Sequence, residues 1–391
     1  MEERSFLETK ADSAGHRTVL RHPWQKRMRI AQVAPLSESV PPRLYGGTER
    51  VVSWLTEELV RRGHEVTLFA SGDSVTSARL VPACERALRL DANVQDRLAH
   101  HVVMLEEVFS RAAEFDLIHV HVDYLHFPLA RRTPTPCLTT LHGRLDIPDL
   151  VPIHETFREQ PLVSISHSQR EPLAWANWQG TVHHGMPRHL LELRKGKGGY
   201  LAFLGRTSPE KGVDEAIRIA CRAGMPLKIA AKVDLADRAY FEHEIKPMLD
   251  CSLVEYIGEI GTREKNDFLG DAAALLFPIN WPEPFGLVMI EALACGTPVI
   301  AYGCGSVAEV LDDGVTGFIV SSAAEAASAL KKLDGIDRNL CRQHFERHFC
   351  DERMAADYLN IYQRLVGRKT TALTLSDGVV GWTDLVPSTT T

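Results

Sequence analysis

The chain alternates short apolar runs with longer stretches in which apolar residues return every three or four positions. The opening run MRIAQVAP predicts a strand from Met28 to Val33. TERVVSWLTEELVRRG then has helical spacing, with Thr48 as the expected N-cap and Gly63 as the stop. EVTLFAS reads as the next strand, and DLIHVHV, PCLTTLHG and PLVSISHS continue the series, with helical segments between several of them. Strands that alternate with helices predict a parallel sheet covered on both faces.

The pattern then restarts. LELRKGKGG, residues 191–199, is polar and glycine-rich and reads as a linker. YLAFLG predicts a strand, and KGVDEAIRIACRAG a helix ending at Gly224. LKIAAK, LVEYIG, AALLFP and PVIAY follow as strands, again separated by helices, and FERHFCDERMAADYLNIYQRLV predicts a closing helical region. The expected protein is α/β, with two tandem Rossmann-like domains, residues 28–190 and 200–350, facing across a cleft. A closing helix covers 351–367, a flexible extension 1–27 and a disordered threonine-rich tail 368–391. A length of 391 residues fits two domains better than one core.

Composition narrows the class. Hydrophobic residues make up 45% and charged residues 24%, as in an ordinary globular chain. A net charge of -7 argues against a general nucleic-acid binder. No apolar run approaches the roughly 20 residues of a membrane helix. Residues 1–27 lack the apolar centre of a secretory signal, so a cytoplasmic protein is expected. The basic run RHPWQKRMR leaves room for contact with an anionic membrane surface. Eight scattered cysteines without a C-x-x-C pair read as reduced thiols. CRQHFERHFC offers Cys341, His344, His348 and Cys350 to zinc, but has no second ligand pair and no H-E-x-x-H. An amphipathic helix with Phe345 and Phe349 facing inward is the expected reading there.

Ligands bind open α/β sheets beyond the carboxyl ends of the strands, and four polar oddities fall at such ends. In YGGTER, Gly46 and Gly47 let backbone approach a ligand and open a helix whose free N–H groups favour an anion. The dinucleotide pattern G-x-G-x-x-G is absent, which counts against NAD. In TTLHGR, His142 ends an apolar strand and can bond a hydroxyl or carbonyl. His119 and His121 share one strand face and read as lining the sheet. In FLGRTSPEKG, Arg206 and Lys211 flank a strand–helix turn between Gly205 and Gly212, an arrangement suited to a diphosphate. In WPEPFGLVMIEALACGTPVIA, Pro284 is expected to open a helix closed by Gly296. Glu283 then lies before the helix, Glu291 inside it, and Phe285, Gly286, Leu287 and Val288 offer N–H groups to phosphate.

GRTSPEKG and EPFGLVMIEALACGTPVIA resemble the signature of the family-4 glycosyltransferases, retaining enzymes of the GT-B fold. YGGTERVV, TLHG and VHHGMP resemble further pieces in the expected order, over about residues 28–366. The resemblance implies a nucleotide-diphosphate sugar, UDP- or GDP-linked, held mainly by the second domain. It implies that Glu291 binds the ribose hydroxyls, Glu283 the sugar near its C3 and C4 hydroxyls, and Arg206 and Lys211 the diphosphate. Gly47 would give a backbone N–H to a phosphate, His142 would meet the C6 hydroxyl, and Glu259 and Ile260 would meet the base. With cations and a helix N-terminus on the leaving diphosphate, and no D-x-D at a strand end, no metal or other cofactor is expected. The acceptor, a sugar, a lipid-linked group or a small molecule, is expected on the first domain. A nucleotide-sugar epimerase of the same fold and a non-catalytic bilobed sugar-binding protein are the alternatives.

Overall fold

The structure is a computed structural model that describes residues 27–376 except Leu44 and Lys197, with side chains as far as Gly367. The expectations for residues 1–26 and 377–391 lie outside the described residues. Seven parallel strands form the first sheet: β1 Arg29–Val33, β2 Glu65–Ser71, β3 Arg79–Cys84, β4 Leu117–Val120, β5 Cys137–Thr140, β6 Leu162–Ser164 and β7 Trp178–Thr181. Their order is β3-β2-β1-β4-β5-β6-β7. Six parallel strands form the second: β8 Leu201–Arg206, β9 Leu227–Lys232, β10 Val254–Gly258, β11 Ala274–Phe277, β12 Val299–Tyr302 and β13 Gly317–Val320. Their order, β10-β9-β8-β11-β12-β13, repeats the doubly wound arrangement of the first.

The inner strands are buried because helices cover both faces; every residue of β4, β5 and β11 is buried, and most are apolar, with His119, Thr139 and Thr140 the polar exceptions. The sequence pattern did not reveal β3, β7 or β13. All three are edge strands with half-covered residues, and β3 carries Pro82 while β7 carries Gly180.

Two helix starts differ from expectation. Gly46, not Thr48, caps the Gly47–Arg61 helix, with φ +146, and Thr48 lies inside it. The helix after Pro284 begins only at Leu287, capped by Gly286 at φ +77. That left-handed turn is closed to other residues, because a Cβ on Gly286 would stand 2.9 Å from the Phe277 ring. The chain between Pro284 and Gly286 thus stays outside the helix and beside the cleft.

The closing region is two helices, Arg338–His348 and Asp351–Ser376, and the second runs past Arg368, where the pattern suggests a tail. Phe345 and Phe349 face inward, at 0% and 1% exposed, as the amphipathic reading requires. At the break, Met186 exchanges backbone bonds with Phe349 and Asp351 at 2.9 and 3.2 Å. The last helix then returns to the first domain, where Tyr358, Leu359 and Tyr362 are fully buried. A second contact closes the domains together. Glu309, from the second domain, accepts from the backbone N–H groups of His167 and Ser168 at 2.7 and 2.9 Å and bonds His183 at 2.9 Å.

Candidate active site

The strand order reverses between β1 and β4 and again between β8 and β11. Loops leaving those strands diverge and open a crevice. The two crevices face each other and form one cleft of about 430 Å³, lined from both domains. The residues expected at the donor site all line it: Gly46, Gly47, His142, Arg206, Lys211, Glu259, Ile260, Glu283, Phe285, Gly286, Leu287, Val288 and Glu291.

Gly46 and Gly47 open the first-domain helix at the cleft. A Cβ on Gly46 would meet Pro42 at 2.8 Å, so the turn is held by packing as well as by its φ. The first N–H groups of this 15-residue helix precede its bonding ladder and carry its positive end. Opposite, Arg206 ends β8 and Lys211 ends the short turn Pro209–Lys211. Gly212 follows at φ +72, and a Cβ there would lie 2.1 Å from Pro278 O. Only glycine lets the Lys211 turn press against the end of β11.

The structure pairs groups that the sequence shows only as separate charges. Lys211 Nζ bonds Glu283 Oε2, and Trp281 Nε1 donates to the same oxygen at 2.9 Å. Arg206 is held between Glu210 and Asp237, the latter at 3.2 Å; burial works against its charge, but Asp237 and Glu210 outweigh that and raise its already high pKa. Lys265 Nζ reaches Glu291 Oε1 at 2.7 Å, with the Glu291 side chain only 5% exposed. The buried acid is therefore a neutralised, positioned acceptor rather than a stray charge. Lys265 and Trp281 carry no sequence signal of their own: the first looks like a surface charge in TREK, the second like one more apolar residue beside prolines.

The first domain presents imidazoles. His142 Nε2 meets His121 Nδ1 at 2.9 Å, and its ring stacks on that of His184 at 5.3 Å. His184 in turn meets the edge of Phe285 at 4.8 Å, from the second domain. Burial drives the pKa of His142 down to about 3 and those of His121 and His184 well below the usual imidazole value. These rings are neutral hydrogen-bonding groups. His119 and His121 do line the sheet, but His121 also touches His142.

A second recess of about 350 Å³ adjoins the cleft and shares Ser37, Thr48 and His142 with it. Asp123 lies in it, exposed, and is the single non-glycine residue with positive φ, +47, among the described residues. Strained backbone of this kind concentrates at binding sites. Of the zinc candidates, His344 Nε2 bonds Val310 O at 3.1 Å and Cys341 is fully buried. No group of three or more His, Cys, Asp or Glu side chains is arranged to hold a metal ion among the described residues, and no helix among them is long and apolar enough to cross a membrane.

Two doubly wound domains closing on a cleft of paired cations, carboxylates and helix N-termini define a GT-B glycosyltransferase. Comparison with known proteins agrees: residues 45–192 match the model for Glycosyltransferase Family 4, and residues 192–339 that for Glycosyl transferases group 1. The chain belongs to the family-4 glycosyltransferases. It is similar to a phosphatidyl-myo-inositol mannosyltransferase of Propionibacterium freudenreichii subsp. shermanii, 26% identical over 355 residues, spanning 80% of this chain and 88% of the relative. Its fold is similar to a sucrose-phosphate synthase of Thermosynechococcus elongatus, with a TM-score of 0.72 at 19% identity over 88% of this chain and 100% of that one. It is also similar to Anabaena HepE in complex with UDP and glucose, with a TM-score of 0.64 at 16% identity over 90% and 100%.

Proposed function

We propose that this enzyme moves a hexosyl group from a UDP- or GDP-sugar to a hydroxyl acceptor, with retention of anomeric configuration and without a metal. The observation that carries the reading is the gathering of Arg206, Lys211 and two helix N-termini around one cleft that also holds Glu283 and Glu291. Glu291, steadied by Lys265, takes the ribose hydroxyls, and Glu259 and Ile260 take the base. Glu283, fixed by Lys211 and Trp281, takes the sugar hydroxyls. The C6 hydroxyl meets His142. A structural neighbour that holds UDP and glucose supports this class of donor.

As the bond from C1 to the diphosphate oxygen breaks, negative charge grows on the leaving group. Arg206, Lys211 and the backbone N–H groups of Gly47, Leu287 and Val288 stabilise that charge. The acceptor hydroxyl attacks C1 from the same face, and its proton passes to the departing phosphate oxygen. The recess beside His142, with Asp123, receives the acceptor.

The test is a screen of UDP-glucose, UDP-GlcNAc and GDP-mannose for hydrolysis and transfer, with and without EDTA, in wild type and in Arg206→Ala and Lys211→Ala. Each variant is expected to lower kcat about 10²–10³-fold, more than it raises the donor Kd. Turnover that chelation abolishes and Mg²⁺ restores would overturn the metal-free reading. Variants that lose donor affinity from a protein with no turnover would point to a passive binder.

A further inference from the structure

Behind His142 runs a chain of buried polar side chains that ends on the last helix. His142 Nε2 meets His121 Nδ1 at 2.9 Å, and His121 Nε2 meets Gln32 Oε1 at 2.9 Å. Gln32 Nε2 donates to Tyr362 OH at 3.3 Å, and Tyr362 OH meets His119 Nδ1 at 2.7 Å. His119 Nε2 meets Thr140 Oγ1 at 2.8 Å. Gln32, His119, Thr140 and Tyr362 are fully buried. In sequence they are scattered over β1, β4, β5 and the Asp351–Ser376 helix, which the strand register and the returning helix bring together.

The direction of the protons follows from the distances. Tyr362 has one O–H. A 2.7 Å contact to an imidazole nitrogen suits an O–H donor, whereas 3.3 Å is too long for O–H to oxygen. The phenol therefore donates to His119 and accepts from the Gln32 amide NH₂. That turns Gln32 Oε1 toward His121, so His121 must carry its proton on Nε2 and leave Nδ1 bare. His142 must then place its own proton on Nε2 and leave Nδ1 without one. His142 Nδ1 is buried and has no partner among the described residues. A bare acceptor left unmet on the wall of a cleft calls for a ligand donor.

We propose that Tyr362 and Gln32 are positioning residues that fix the tautomer of His142, so that its Nδ1 accepts a hydrogen bond from a donor-sugar hydroxyl. The last helix thus reaches the site through protons rather than through contact with substrate. The ligand half of this statement rests on the glycosyl-transfer reading above; the tautomer half does not.

The experiment is long-range ¹H–¹⁵N spectroscopy of protein labelled with ¹⁵N-histidine, with His142 assigned by comparison with His142→Gln. Wild type is expected to show the Nε2–H form of His142, and Tyr362→Phe a mixture of both forms, because the amide is then free to turn over. The Nδ1–H form in wild type overturns the proposal without any variant. An unchanged tautomer in folded Tyr362→Phe removes Tyr362 from the role. In kinetics with UDP-glucose, Tyr362→Phe should lower kcat about fivefold with little change in KM, and the 6-deoxy donor should not feel the substitution. Equal losses with both donors would mean a merely structural tyrosine. Absence of turnover with any nucleotide sugar would sink the functional reading and leave the tautomer result standing.

Discussion

At the scale of single residues, the site works by pairing. Glu291 and Lys265 meet at 2.7 Å and Lys211 bonds Glu283, so each acid is already held in place before any ligand enters. A buried carboxylate with its cation in place can accept from hydroxyls without moving, which strengthens each bond it makes. Glu291→Ala removes the acceptor and leaves Lys265 uncompensated. Its affinity for UDP or GDP should fall by about 1.5–3 kcal/mol, roughly 10- to 150-fold. Calorimetric titration of both nucleotides into the folded variant checks this, and wild-type affinity would take Glu291 out of the site.

At the scale of elements, the carboxyl ends of β4, β5 and β7 bring His121, His142 and His184 together beside the cleft. His119, His121, His126 and His184 are all buried. Burial holds His126 down to about 3 and the other three well below the ordinary value. In the unfolded chain each would titrate near the ordinary imidazole value of 6.5. Below that pH the unfolded state binds more protons than the folded state, so stability is complete above it and falls as pH drops through it. Each histidine contributes on the order of 1 kcal/mol per pH unit. The melting temperature should therefore fall steeply between pH 6.5 and pH 5, a window set by these histidines. A flat profile across that range would mean the imidazoles are already charged in the fold.

At the scale of the whole molecule, the domains are joined by more than the 191–199 segment. The last helix lies against the first domain, and Glu309 clasps the N–H groups of His167 and Ser168 and the ring of His183. Burial pushes the Glu309 carboxyl up, but hydrogen bonds from these three donors outweigh it and hold its pKa down. Glu309→Ala leaves those donors without their acceptor and should loosen closure. Small-angle scattering should show a larger radius of gyration, and the donor KM should rise several-fold while the fold persists. A variant with an unchanged radius and KM would show that the returning helix alone keeps the cleft closed.

The sequence by itself determined the two doubly wound domains and their shared cleft, because strands buried on both faces are predominantly apolar and glycines stand where backbone turns left-handed. Gly46, Gly212 and Gly286 mark the ligand side of the sheets for that reason, and Gly47, Lys211, Phe285 and Leu287 beside them line the cleft. Edge strands β3, β7 and β13 were not legible, since half-covered positions do not need an apolar residue. Nor were the partners. Lys265 with Glu291, Glu309 with His183, and Tyr362 with Gln32 are 26, 126 and 330 residues apart. A residue type shows that a side chain can donate or accept, but only the folded chain decides which distant group completes the bond.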